Sequence, residues 1–171
     1  MGYSAFDTLP PTFAEFLIAH LAAETAAATE NNIWQGNLGG AQAGEFNGFT
    51  TLMTADAAVP KVVAPAAVDA TNVIAELGRI VDAIPSALYG KDDMYLYISQ
   101  NIARAYVRAL GGFSAAGLGA NGVNNEGTQW WNNGSLTFDG VKIFVAQGLP
   151  DDHAVAAQKS NLYFGCGLLS D

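Results

Sequence analysis

Val73, Ile74, Leu77, Ile80, Val81 and Ile84 recur at steps of three and four. At 3.6 residues per turn that spacing gathers them onto one stripe of a helix, with Glu76, Arg79 and Asp82 off the stripe. Asp69 or Thr71 is placed to cap the helix and Pro85 to end it. An apolar stripe of this kind needs cover, so the chain must build a core against it. The segments downstream can supply one. Met94–Ile98 reads as a strand. Ser99 caps a further helix with Ile102, Ala103, Tyr106 and Leu110 inward, Arg104 and Arg108 outward, and Gly111-Gly112 as its stop. Leu136–Val145 reads as two strands around an Asp139-Gly140 turn, Gly148-Leu-Pro150 as another turn, and 153–157 and 161–166 as short apolar runs. The order helix, strand, helix, strands indicates an α+β fold rather than a repeated βαβ winding.

Upstream, Pro10-Pro11 stops whatever precedes it, and Thr12-Phe-Ala-Glu15 fits a capping box. From there to about Trp34 the residues favour helix, with Phe13, Phe16, Leu17, His20, Leu21 and Glu24 on one stripe and an alanine face after it. A helix this long and Ala-rich is expected to pack flat against a sheet or another chain. Gly36, Gly39 and Gly40 end it. Glu45–Phe49 and Val59–Val63 read as short strands, with Pro60 and Pro65 keeping the second away from a central position.

With 171 residues the chain suits one compact domain, and only 13% of it is charged, which points to partner subunits covering part of its apolar surface. The net charge is −9, and the seven basic residues are scattered without a basic run, so any DNA near the protein is expected to be a neighbour and not a ligand. No apolar segment of ~20 residues suggests a membrane span, because Glu15, His20, Glu24 and Glu30 interrupt the first candidate. No secretory signal opens the chain.

The motifs with a chemical reading each have a plainer explanation. Gly117-Leu-Gly119-Ala-Asn-Gly122 matches G-x-G-x-x-G with Asp139 downstream, but a dinucleotide site needs a strand before it and a helix after it. Trp130-Trp131 suits an anchor for its own loop or a plug into a neighbouring subunit better than a sugar platform. Asp151-Asp152-His153 reads as a solvated acidic turn, Asp92-Asp93 likewise, and His20 as a hydrogen-bonded structural histidine. Cys166, the sole cysteine, reads as a small buried hydrophobe in a terminal strand. Asn133-Gly134-Ser135 is formally a glycosylation sequon. No catalytic, cofactor-binding or metal residue is assigned. Residues 111–134, with seven glycines and five asparagines, are expected to form a long loop or flap.

Three short runs carry a resemblance. They are Asn31-Asn-Ile-Trp-Gln-Gly-Asn37 at the end of the long helix, Gly44-Glu-Phe-Asn-Gly-Phe49, and a closing pattern made of Phe138–Phe144, Gly148-Leu-Pro150 and Asn161–Gly165. With the helix at 71–84, the strand at 94–98 and the helix at 99–110, they resemble the major capsid proteins of tailed phages over roughly residues 12–171. The resemblance implies a spine helix with peripheral elements (1–62), an axial domain of a mixed sheet flanked by helices (63–150) and closing strands (151–171). It implies a structural protein, not an enzyme, whose partners are other copies of itself in the icosahedral shell of a bacteriophage or prophage virion. The chain looks like the middle-to-late part of such a protein, without the arm and extended loop that reach across neighbouring subunits. An encapsulin-like compartment shares the fold. The rivals from other classes are a small α/β nucleotide-binding enzyme and a carbohydrate-binding module.

Overall fold

The computed structural model describes residues 11–39, 46–110, 136–165 and 167. The chain is α+β: helices α1 (Pro11–Gln35), α2 (Phe49–Ala55), α3 (Val73–Asp82) and α4 (Gln100–Ala109), strands β1 (Met94–Ile98), β2 (Thr137–Phe138), β3 (Val141–Val145) and β4 (Ala154–Gln158), and a 3₁₀ turn at Lys159–Asn161. The strands form one mixed sheet in the order β2-β3-β1-β4. β1 runs parallel to β3, with Leu96 opposite Ile143, and antiparallel to β4, with Leu96 opposite Ala156.

The sheet separates two apolar layers. Met94, Leu96 and Ile98 of β1 join Val141 and Ile143 of β3 against Val73, Leu77 and Val81 of α3 and Ile102, Ala103 and Tyr106 of α4. Tyr95 and Tyr97 point to the opposite face, as the two-residue strand period requires. There Tyr97 packs with Trp34, Ala146 and Leu149. The tight β2–β3 turn has Asp139 at φ 46° and Gly140 at φ 77°, the primed-turn geometry expected of an Asp-Gly pair.

The helical stripe at 73–84 has one correction. Val73, Leu77, Val81 and Ile84 are buried, but Ile74 is half exposed, while Glu76, expected outside, is buried. Its carboxylate is 2.8 Å from Arg79, whose other guanidinium nitrogen donates to the Val63 carbonyl oxygen. The pair lets a charged residue sit on the inner side of the helix. Asp69 acts just before α3: its Oδ1 accepts from the Thr71 hydroxyl and from the backbone N–H groups of Thr71 and Asn72. The Thr71 hydroxyl, first among these, holds the Asp69 carboxyl below its ordinary pKa. Ser99 occupies the N-cap position of α4 as expected, but its buried hydroxyl donates to Asn101 Oδ1 at 2.6 Å instead of capping the helix.

Three expected strands are absent from the described residues. Residues 46–48 are irregular and lead into α2, and 59–63 have no regular structure. Branched residues favour a strand only when a neighbouring strand is there to pair, and none lies beside 59–63. After β4 the chain turns through Lys159–Asn161, so 162–165 leave the sheet instead of extending it. The expected loop at 111–134 and Cys166 lie outside the described residues.

The start of β1 is tied to the end of β4 by Asp93. Its carboxylate accepts from the Ser160 hydroxyl at 2.6 Å and from Gln158 Nε2 at 3.0 Å, and these bonds lower its pKa, Ser160 most. A group ionised more readily in the folded state stabilises the fold above its unfolded value, near 3.8, and that stability is lost as pH falls through the folded value. Asp93→Asn should therefore lower the thermal midpoint at pH 7 and shrink its fall between pH 5 and pH 2. A midpoint gap identical to that of the parent protein would show that Asp93 contributes nothing to acid sensitivity.

Leu77→Asp tests the main core. Leu77 is 1% exposed, and an unpaired buried carboxylate costs several kcal/mol, about the whole stability of a domain. Circular dichroism should find the variant unfolded at 25 °C. A retained cooperative transition would mean that α3 does not face this core.

Candidate functional site

The most densely connected polar and aromatic region is the junction where the last turns of α1 meet the sheet. Trp34 is 6% exposed, whereas every described side chain from Phe13 to Thr29 is exposed. Its ring centroid lies 5.3 Å from that of Tyr97 and 5.6 Å from that of Phe49, the second contact edge-on. Burial raises the pKa of the Tyr97 hydroxyl.

Hydrogen bonds close around the indole. One turn before it, Glu30 Oε1 accepts the backbone N–H groups of Gln147 and Gly148 at 3.1 and 3.3 Å. One residue after it, Gln35 Nε2 donates to the Gly148 carbonyl oxygen at 3.0 Å. The Thr50 hydroxyl donates to the Trp34 carbonyl oxygen at 2.6 Å, and that of Thr51 to the Gly36 carbonyl oxygen at 2.8 Å. Carbonyls left open by the end of a helix are thereby satisfied by α2. Asn47 Oδ1 accepts from the Leu38 N–H, and the Gly48 N–H donates to the Gly36 carbonyl oxygen. Gly148 must lack a side chain: a Cβ there would sit 2.5 Å from the Glu30 carbonyl oxygen and 2.9 Å from Trp34 Cδ1.

The candidates for chemistry fare differently. Gly117–Gly122, Trp130-Trp131 and Asn133-Gly134-Ser135 lie outside the described residues. Asp139 forms the hairpin turn, and its carbonyl oxygen accepts from the Tyr89 hydroxyl. Asp152 is more than a solvated turn residue. Its carboxylate accepts from Asn101 Nδ2 at 2.6 Å and from the Val68 N–H, and its own N–H donates to Asn101 Oδ1. Both residues join the start of α4 to the turn before β4. Asp151 is exposed, and its carbonyl oxygen is 2.8 Å from Nδ1 of the exposed His153. Asp92 is exposed, while Asp93 is the strand tie already described. His20 is exposed with its ring parallel to that of Phe16, and no hydrogen bond to it exists among the described residues, contrary to a hydrogen-bonded structural role. No other described element packs against α1 at that level to offer one.

His153 also borders a shallow depression lined by Thr50, Thr51, Thr54 and Ala55. The three hydroxyls there already donate to backbone carbonyls. Among the described residues no group of three or more His, Cys, Asp or Glu side chains is placed to hold a metal ion. No described helix is long and apolar enough to cross a membrane. No protein-family model matches the chain, and no curated protein or solved structure matches it.

What remains is a surface. Phe13, Phe16, Leu17 and Leu21 are 45, 66, 42 and 57% exposed along the free length of α1. Sequence reasoning found this stripe and the Trp34 and Gly148 runs, but missed Glu30 as the carboxylate that receives the 147–148 turn. Its position one turn before Trp34 was the available signal.

Gly148→Ala should separate the turn from α1 and lower stability by ~1–3 kcal/mol, the usual cost of forcing a group into a packed site. Gly78→Ala, in a helix with nothing within 4 Å of the added Cβ, should instead stabilise by about 0.5–1 kcal/mol. Denaturant melts of the two variants check this, and equal effects would mean that the close approach at Gly148 is absent.

Proposed function

We propose that this chain is a structural coat protein, many copies of which tile the icosahedral shell of a tailed phage or prophage around packaged DNA. The observation that carries the reading is α1, 25 residues held by its last two turns, with exposed apolar side chains that no other described element covers. A single domain gains little from projecting such a helix into water, whereas a subunit that must touch several neighbours needs surface away from its core.

The junction adds support. Of the runs behind the resemblance, 31–37, residues 46–49 of 44–49 and the 148–150 part of the closing pattern meet at one point in space, the last across 113 positions of sequence. They join a long helix to a mixed sheet flanked on its other face by α3 and α4, the arrangement that the resemblance implies for a spine helix and axial domain. The charge of −9 suits a wall that does not hold DNA tightly. Affinity between copies would come from several modest apolar contacts.

The test is to express the complete reading frame as it occurs in its source genome and to measure particle mass and shape. Closed particles of uniform diameter and megadalton mass by mass photometry and negative-stain microscopy are expected. A product that stays a monomer or small oligomer at every concentration and turns over a small-molecule substrate would overturn the coat-protein reading.

A further inference from the structure

We propose, building on the coat-protein reading, that the exposed stripe of α1 pairs with the same stripe of a second copy, antiparallel, about a two-fold axis between Ile18 and Ala19. The area is sufficient. At these exposures, Phe13, Phe16, Leu17 and Leu21 leave roughly 400 Å² of apolar surface in water, taking ~200 Å² for a whole side chain of this size. Two such stripes bring about 800 Å² together, the range of a weak, concentration-dependent association.

Charge selects the direction. The charged residues of α1 are Glu15, Glu24 and Glu30, with no lysine or arginine to offset them. Glu30 is engaged by the 147–148 turn, and Glu24 lies on the stripe. A parallel pair would set Glu24 against the partner's Glu24, a destabilising arrangement. In the antiparallel pair Phe16 meets the partner's Leu21, Leu17 meets the partner's His20, and Glu24 reaches the partner's Phe13 in the first helical turn. That turn carries no acidic side chain of its own, and the helix dipole favours a carboxylate there. Such an interface is isologous, so it closes at two copies and leaves the rest of each subunit free for other contacts.

Sedimentation velocity over about 1 to 100 µM should show a monomer–dimer equilibrium, the regime of a small apolar interface. Phe16→Glu with Leu21→Glu should weaken it by roughly tenfold or more, while Ile18→Glu, 68% exposed but off the stripe, should leave it unchanged. All these positions are exposed, so circular dichroism should report an intact fold. In a Cys166→Ser background, Leu17→Cys and His20→Cys proteins should form a disulfide when mixed and not when oxidised separately, since only the antiparallel register brings 17 and 20 within bonding reach.

A monomer at 100 µM, a dimer indifferent to the stripe variants, or a Leu17→Cys protein that links to itself would each overturn the proposal. Failure of the coat-protein reading looks different. Pairing as described without any shell from the complete reading frame would remove the shell and keep the interface. Shells that tolerate the stripe variants would do the reverse.

Discussion

The indole of Trp34 is the contact on which the arrangement of this molecule depends. It is the only side chain of α1 buried among those described, and it enters an aromatic layer made by Tyr97 and Phe49. Every nearby choice accommodates it. Gly148 lacks a side chain because the indole and the Glu30 carbonyl occupy that space. Glu30 and Gln35 reach the same turn from either side of the ring, one accepting and one donating. Burying a large aromatic is worth several kcal/mol, more than any one of the hydrogen bonds around it. The polar contacts therefore fix the angle at which α1 leaves the sheet, while the ring supplies most of the attachment energy.

That attachment is coupled to the main core through one strand. Leu96 and Ile98 of β1 face α3 and α4, and Tyr95 and Tyr97 face the junction. Movement of β1 is felt in both layers, because close-packed side chains have little room to adjust independently. Asp93 at one end of the strand and the Asn101–Asp152 pair at the other tie it to its surroundings. The base of α1 thus rests on a braced platform.

The parts legible in the sequence were those in which a single period or turn chemistry dominates. The stripe of α3, the apolar strand at 94–98 and the Asp139-Gly140 hairpin follow directly from spacing and from residues that tolerate positive φ. The strands expected at 45–49 and 59–63 failed because strand propensity describes fit to a neighbouring strand, and the sheet already ends at β2 and β4. Glu76 was misplaced because periodicity sorts charged residues outward and does not register an arginine one turn later that can accompany one inward. The junction was half visible. Its glycines and tryptophan stood out as runs, but bonds between residues 113 to 118 positions apart, such as those from Gln35 and Glu30 to Gly148, leave no local pattern.

The portion of α1 that no other described element covers raises a last physical question, namely what keeps it helical. Isolated helices of this length are marginal in water even when rich in alanine, and most helical stability in proteins comes from packing an apolar face. Thr25 and Thr29 donate their hydroxyls to carbonyls one turn back, which keeps them inside the helix but adds no contact with another element. The Trp34 anchor supplies a nucleus at one end, and helix propagates outward from it with little to prevent fraying. Cover over Phe13, Phe16, Leu17 and Leu21 would stabilise the helical form selectively, because the stripe exists only when those residues are helical. Order along α1 and the proposed association through it would consequently be linked: whatever weakens the anchor should weaken that pairing as well, even when the paired residues themselves are untouched.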